Sequence, residues 1–136
     1  ASFYQKLYAV TLGGSKSVMV QRFLPETFTS DKRILMLDGK ILGAFLRHPR
    51  KGEFRANLGL GASMHRTTLT PREKRVAEAV APWLAERGLY FTGLDTIGGR
   101  LSEINVTSPS GIPEIRQLYG KRLEKDVADF IERRWR

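Results

Sequence analysis

In this chain a tight turn twice separates two runs of apolar residues. Ile34-Leu35-Met36-Leu37 and Ile41 to Leu46 flank Asp38-Gly39. Both positions of such a two-residue turn take positive φ, so Asp-Gly between apolar runs is the strongest short-range signal for a β-hairpin. Further on, Leu89 to Leu94 ends in Asp95, Gly98-Gly99 makes a second turn, and Leu101 to Val106 runs back. A helix lies between the hairpins. Thr70 caps its free amides, Pro71 suits its first position, and Glu73 completes a capping box. Val76, Ala77, Val80, Trp83 and Leu84 form the face it buries, while Pro82 is expected to kink it and Gly88 to end it. Strands, helix, strands, helix is the order of an α+β fold, an antiparallel sheet with flanking helices.

Residues 2–12 read as helical turns stopped by Gly13-Gly14. Val18-Met19-Val20 reads as a short β run leading into Gln21-Arg22-Phe23-Leu24-Pro25. Residues 56–68 are Gly-rich without periodicity, and 108–113 are polar and proline-bounded, so both read as loops. In the tail, Leu123, Val127, Phe130 and Ile131 recur at i, i+4, i+7 and i+8, the buried stripe of a final helix. With 136 residues and no repeat, linker or low-complexity tract, a single domain over 1–136 is expected.

The 23 Lys and Arg against 14 Asp and Glu leave a net charge of +9, which fits nucleic acid, an anionic membrane or small anions. In the tail, Lys121, Arg122, Lys125, Arg133, Arg134 and Arg136 alternate with Glu124, Asp126, Asp129 and Glu132. That face reads as solvated rather than as a phosphate track. Residues 47–55 differ, because Arg47, His48, Arg50, Lys51 and Arg55 accompany a single acid, Glu53, in a stretch broken by Pro and Gly. A loop of that charge suits a small polyanion at least as well as DNA, and nucleic acid is not the expected partner. The absence of cysteine excludes disulfides, thiol catalysis and Cys-based zinc sites. No apolar run approaches the roughly 18 residues of a membrane-spanning helix. No basic-then-apolar leader opens the chain, so a cytoplasmic location is expected. His48 and His65 read as solvent-facing, and Gly13-Gly14-Ser15-Lys16 lacks the spacing of a phosphate-binding loop.

The segment GLDTIGGRLSEIN carries the chemistry. Glu103 and Asn105, two apart on the return strand, share one face of the sheet, and Asp95 approaches them from the neighbouring strand. Two carboxylates and an amide oxygen, without His or Cys, select Mg²⁺ or Mn²⁺ rather than zinc. Three protein ligands leave the remaining positions to water and substrate phosphates. A hairpin with polar residues on its wet face is the plainer reading, and spacing alone leaves both open.

LDTIGGRLSEINVTSPSGIPEI closely resembles the terminal signature of prokaryotic glutathione synthetases, a family of ATP-grasp ligases. Three further stretches resemble that family in the same order: VMVQRFLPE, its adenine-holding strand and hinge; SDKRILMLDGK, the following hairpin; and FRANLGLGAS, its Arg-x-Asn-Leu glycine-rich loop. The resemblance covers roughly residues 17–118. It implies that Asp95, Glu103 and Asn105 bind the magnesium ions of ATP. It implies that Gln21, Arg22, Phe23 and Leu24 hold adenine; the family more often has Asn at Arg22, a change that a backbone contact tolerates. Asp31 would lie near the nucleotide. Arg33 and Arg55 would face the reacting phosphate, while Asn57, Arg47, Ser108 and Pro109 would meet the dipeptide.

The implied reaction joins γ-glutamylcysteine to glycine at the expense of ATP, through an acyl phosphate. Both steps build negative charge on oxygen, so the site needs Mg²⁺ and fixed guanidinium groups more than an acid–base pair. The resemblance also implies that this chain is the C-terminal lobe of an ATP-grasp fold. The family's N-terminal substrate domain, its phosphate-covering Gly-rich loop and two upstream nucleotide lysines have no counterpart in residues 1–136. The chain starts at Ala1, and is expected to be a fragment or one half of a split enzyme, completed by a missing N-terminal half or another copy, and inactive alone. Two other readings stay open: a different ATP-grasp amino-acid ligase, against which Thr107-Ser108-Pro109 argues, and a non-catalytic basic module for nucleic acid or a protein partner.

Overall fold

The computed structural model describes residues 1–135. Helix α1 (Phe3–Val10) is followed by a long unpaired stretch and a single helical turn, α2 (Thr27–Ser30). The first hairpin is β1 (Asp31–Leu37) and β2 (Lys40–His48), and a short edge strand, β3 (Ser63–His65), pairs with the end of β2. Helix α3 (Pro71–Glu86) leads into the second hairpin, β4 (Phe91–Ile97) and β5 (Arg100–Asn105). Helices α4 (Ile112–Tyr119) and α5 (Leu123–Arg134) close the chain. The five strands form one antiparallel sheet in the order β3-β2-β1-β4-β5. The α+β reading of the sequence is what the fold shows.

Central strand β1 is buried along its whole length, because helices cover both faces of the sheet. Ile34 and Met36 point to one side, where Leu94 of β4 joins Ala77 and Leu84 of α3. Leu35 points to the other, packing with Phe45 of β2, Ile115 of α4 and Leu123 of α5. Full burial of each such Leu or Ile contributes roughly 1.5–3 kcal/mol. The capping box at α3 forms as read: Thr70 Oγ1 accepts from Glu73 N at 3.2 Å, and Glu73 Oε2 accepts from Thr70 N at 2.7 Å. Lys32 of β1 donates to the same Glu73 oxygen at 2.9 Å, so the start of α3 is tied to the sheet by a buried ion pair.

Several local expectations are corrected. Residues 18–20 form no strand; their side chains are exposed and no strand of the sheet lies beside them to accept their hydrogen bonds. The 56–68 loop contains β3, whose apolar content is one residue, Met64, too little to announce a strand. Asp95 lies inside β4 rather than at its end. Trp83 is exposed, stacked under Arg87 with the guanidinium carbon 4.3 Å from a ring centroid, and Ala81 packs on the core instead. Pro82 lies within α3, which continues beyond it to Glu86. The tail holds two helices, because Gly120 in the left-handed region stops α4 before α5 begins. On α5, Ile131 is exposed while Leu123 and Phe130 are buried. Arg136 lies outside the described residues.

Candidate functional site

A two-residue turn at Asp38-Gly39 pairs Leu37 with Lys40 and Met36 with Ile41. Continued unbroken, that register would set Arg33 opposite Ala44. Instead the ladder slips between Leu35 and Met36, leaving Leu42 over, and Arg33 faces Phe45 while Asp31 faces Arg47. The second hairpin repeats the device. Ile97 pairs with Arg100 and Thr96 with Leu101, then Ser102 is left over, and Asp95 pairs with Glu103 and Gly93 with Asn105. One extra residue turns every later side chain to the other face. Through these two bulges Arg47, Glu103 and Asn105 reach the face that carries Asp31, Arg33 and Asp95. Ser102 Oγ donates to the Asp95 carbonyl at 3.0 Å, pinning the second bulge.

Four of these side chains form a buried, charge-balanced cluster. Arg33 grips Asp95 with both arms of its fork, Nε to Oδ1 at 2.5 Å and Nη2 to Oδ2 at 3.0 Å. Its remaining arm donates to the Ser110 carbonyl at 3.1 Å, which holds the loop before α4 against the sheet. Arg47 reaches from β2 across β1. It donates to Asp31 Oδ1 at 2.8 and 2.5 Å and lies 3.1 Å from Asp95 Oδ2. Burial pushes the Asp31 carboxyl above its ordinary value, with Arg47 working in the opposite direction. Burial alone would lower the Arg47 pKa, but Asp95 and Asp31 outweigh it and hold the guanidinium more firmly charged. Two guanidiniums fixed in largely buried ion pairs are stronger electrostatic partners than the same groups free on a surface.

This cluster forms the floor of an open cleft. Gln21, Asp31, Arg33, Arg47, Arg55, Asn57, Asp95, Glu103, Asn105, Ser108 and Pro109 all line it. Arg22, Phe23 and Leu24 line an adjoining hollow, which shares Gln21, Thr27, Phe54, Ile97 and Ser102 with the cleft. Arg55 is mostly exposed and clasps Glu53 of its own loop at 2.7 Å, which lowers the Glu53 pKa to about 2. Asn57 Oδ1 accepts from Gly59 N at 2.9 Å and shapes the turn that follows. The sequence reading missed Ser110, which anchors Arg33. It also missed Phe54, whose ring meets that of Phe23 edge-on at 6.1 Å between centroids and joins the loop to the hinge. Neither carries a local signal, because each acts through a residue far away in the chain.

The same segments are found in known proteins. Residues 3–120 match the family model described as "Prokaryotic glutathione synthetase, ATP-grasp domain". The chain belongs to this family. It is 48% identical over 125 residues to a glutathione synthetase of Synechocystis, covering 92% of this chain and 39% of that relative. It is 52% identical over 110 residues to one of Prochlorococcus marinus, covering 81% and 36%. With one of Rhodopseudomonas palustris it shares 42% over 126 residues, covering 93% and 40%. The chain thus spans about two fifths of the length of the glutathione synthetases it matches.

The donor chemistry of the cleft fits a hard divalent cation. The Glu103 carboxylate lies at the rim with no partner among the described residues. Asn105 spends its amide hydrogen on Asp95 Oδ2 at 3.4 Å, which leaves its carbonyl oxygen free. Asp95 is already shared by two guanidiniums. Among the described residues no three His, Asp or Glu side chains gather into a metal cluster. A cation held here would therefore take few protein oxygens and complete its shell with water and phosphate, as Mg²⁺ does at nucleotide sites.

Proposed function

We propose that this chain is the C-terminal lobe of a glutathione-synthase-type ligase and supplies its ATP- and metal-binding side. The observation that carries the reading is the convergence, on one face of one sheet, of the Arg33–Asp95–Arg47 cluster with the free oxygens of Glu103 and Asn105. Glu103 and Asn105, with Asp95 behind them, would hold Mg²⁺ or Mn²⁺. That ion would neutralise phosphate charge and align the γ-phosphoryl group. Gln21, Arg22, Phe23 and Leu24 form the wall for adenine, and Asp31 stands beside the nucleotide.

In the reaction, a carboxylate oxygen of γ-glutamylcysteine attacks the γ-phosphorus of ATP. An acyl phosphate forms and ADP leaves. The glycine amine then attacks the acyl carbon, loses a proton, and expels phosphate as the amide bond closes. Arg33 and Arg47, fixed by their ion pairs, would meet phosphoryl and tetrahedral oxygens as these gain charge, and one such fixed donor lowers a barrier by about 3–4 kcal/mol. Arg55 would join them at the reacting phosphate once it leaves Glu53, while Asn57, Ser108 and Pro109 would surround the acceptor end. The substrate domain and remaining nucleotide contacts come from an N-terminal half or another chain. No described helix is long and apolar enough to cross a membrane, and the cytoplasm is the proposed location.

Two experiments test this. In the first, Mg²⁺-ATP is titrated calorimetrically into this chain and into the Asp95→Asn/Glu103→Gln double variant; binding that the variant loses is expected. In the second, this chain replaces the corresponding segment of the Synechocystis enzyme. A chimaera that folds and makes no glutathione overturns the ligase reading. Binding of nucleic acid that falls steeply with salt and ignores Mg²⁺-ATP would instead favour a basic binding module.

A further inference from the structure

The chain has two histidines, seventeen positions apart, and the fold brings them into contact. The rings of His48 and His65 lie 4.7 Å apart between centroids, tilted by 40°. His48 ends β2 and His65 ends β3, the edge strand of the sheet. The register explains the meeting. Leu46 pairs with His65 and His48 with Ser63, so these four side chains share a face, while Arg47 and Met64 between them point the other way. Met64 does pack against the cluster around Phe45, on the cleft side. The histidine pair therefore stands on the opposite face from the cleft and shares no residue with it. The expectation that both histidines face solvent is corrected for His48, which is half-buried; His65 is exposed.

We infer that His48 and His65 form a binding site for a borderline divalent cation such as Zn²⁺, Ni²⁺ or Cu²⁺, clamping together the two ends of residues 49–64. Neutral imidazole is the preferred side chain for these ions. With a metal–nitrogen bond of about 2.0–2.1 Å, two imidazoles on adjacent coordination positions place their ring centroids roughly 4.5–5.2 Å apart. The observed separation lies in that range. Ser63 Oγ, 2.9 Å from His65 Nε2, adds a polar oxygen beside the pair, and the exposed edge leaves the other positions open to water. The cation on the same face nearest in register is Lys32, opposite Leu46, and its charge is spent on Glu73.

The consequence is conformational. Residues 49–64 carry Arg55 and Asn57 to the cleft, and a metal joining His48 to His65 closes the base of that loop by a second link beside the short β2–β3 ladder. Closing a loop removes freedom from its open states. This site is independent of the ligase reading and stands or falls on its own.

The test uses untagged, EDTA-stripped chain, titrated with Zn²⁺ and separately with Ni²⁺, and followed by calorimetry and by the histidine ring resonances in NMR. One equivalent of metal is expected to bind and shift both sets of ring signals. His48→Asn and His65→Asn should each weaken binding at least tenfold while leaving the EDTA melting temperature in place. Trypsin cleavage after Arg50, Lys51 and Arg55 should slow with metal in the wild type alone. Undiminished binding in either single variant, or no binding in the wild type, overturns the site. Binding without protection from trypsin overturns the clamp.

Discussion

Asp95 and Glu103 stand directly opposite one another on β4 and β5 because Ser102 is left out of the ladder between them. Without that bulge the Gly98-Gly99 turn would set Asp95 against Ser102, and Glu103 would face α3. The matching slip at Leu42 does the same for Arg47. Both hairpins thus use one surplus residue to aim a charged side chain into the cleft, a role that bulges commonly serve beside functional sites.

Asp95 holds two guanidiniums, so its loss is a matter of stability as well as function. It is 4% exposed, and Asp95→Asn leaves Arg33 buried without its carboxylate partner and Arg47 paired with Asp31 alone. Removing one partner of a buried ionic cluster costs about 3–5 kcal/mol. Urea unfolding followed by circular dichroism should show a loss of that size, and a change below about 0.5 kcal/mol would refute the cluster's role.

Glu103 behaves oppositely. It is exposed and unpartnered among the described residues, so Glu103→Gln should leave the urea midpoint nearly unchanged, within about 0.5 kcal/mol. Mg²⁺-dependent ATP binding should fall at least tenfold in calorimetry. Equal binding by wild type and variant would remove Glu103 from the metal set.

Glu73 makes the stability of α3 depend on pH. Burial opposes its charge, but the Thr70 backbone N–H and the Lys32 ammonium outweigh it and hold its pKa below the usual 4.5. A lowered carboxyl pKa contributes stability that is present above 4.5 and is lost as pH falls through the lower folded value. Asp31 acts in reverse: with its pKa raised above 3.8, its contribution declines as pH climbs from 3.8 through the raised value. Glu73→Gln should therefore cost about 3–5 kcal/mol at neutral pH, and the gap should narrow below pH 4.5. A gap that stays constant from pH 7 to roughly pH 3 would contradict this assignment.

Gly93 gives Arg33 its path to Asp95. A Cβ at position 93 would lie 3.2 Å from Arg33 Cδ and 3.2 Å from Pro109 Cβ, so one of them must move. Gly93→Ala should cost about 1–3 kcal/mol by overpacking. It should also weaken Mg²⁺-ATP binding, because the displaced side chain is the one that orients Asp95. A variant as stable as the wild type would show that Arg33 has room to shift.

Much of the architecture could be read from the chain. Asp38-Gly39 and Gly98-Gly99 announce their hairpins, and Thr70-Pro71-Arg72-Glu73 announces α3, because these signals act within a few residues. Strand β3 could not be read, since its three residues are held by pairing with the end of β2 rather than by their own pattern. Trp83 reads as core because it is an aromatic at helical spacing, whereas the neighbouring Ala81 packs there. The stretch LSEIN marked the candidate metal ligands, yet nothing in it shows Asp95 gripped by Arg33 and Arg47. Those partners come from β1 and β2, sixty-two and forty-eight positions away.

Where the chain turns, which helix is capped, the α+β class and the glutathione synthetase family signature are all written in contiguous residues. Which face each charged side chain occupies follows only from how the strands pair across the whole sheet. A turn sets only the first pairs of a hairpin, and the slips at Leu42 and Ser102 then reverse the faces of everything beyond. The burial of β1 between two layers of helices is likewise a tertiary outcome, and it makes Asp31, Lys32 and Arg33 find partners from distant strands and from α3. Burial makes an unpaired charge costly, so the assembled fold, rather than any local segment, selects the ion pairs at the site.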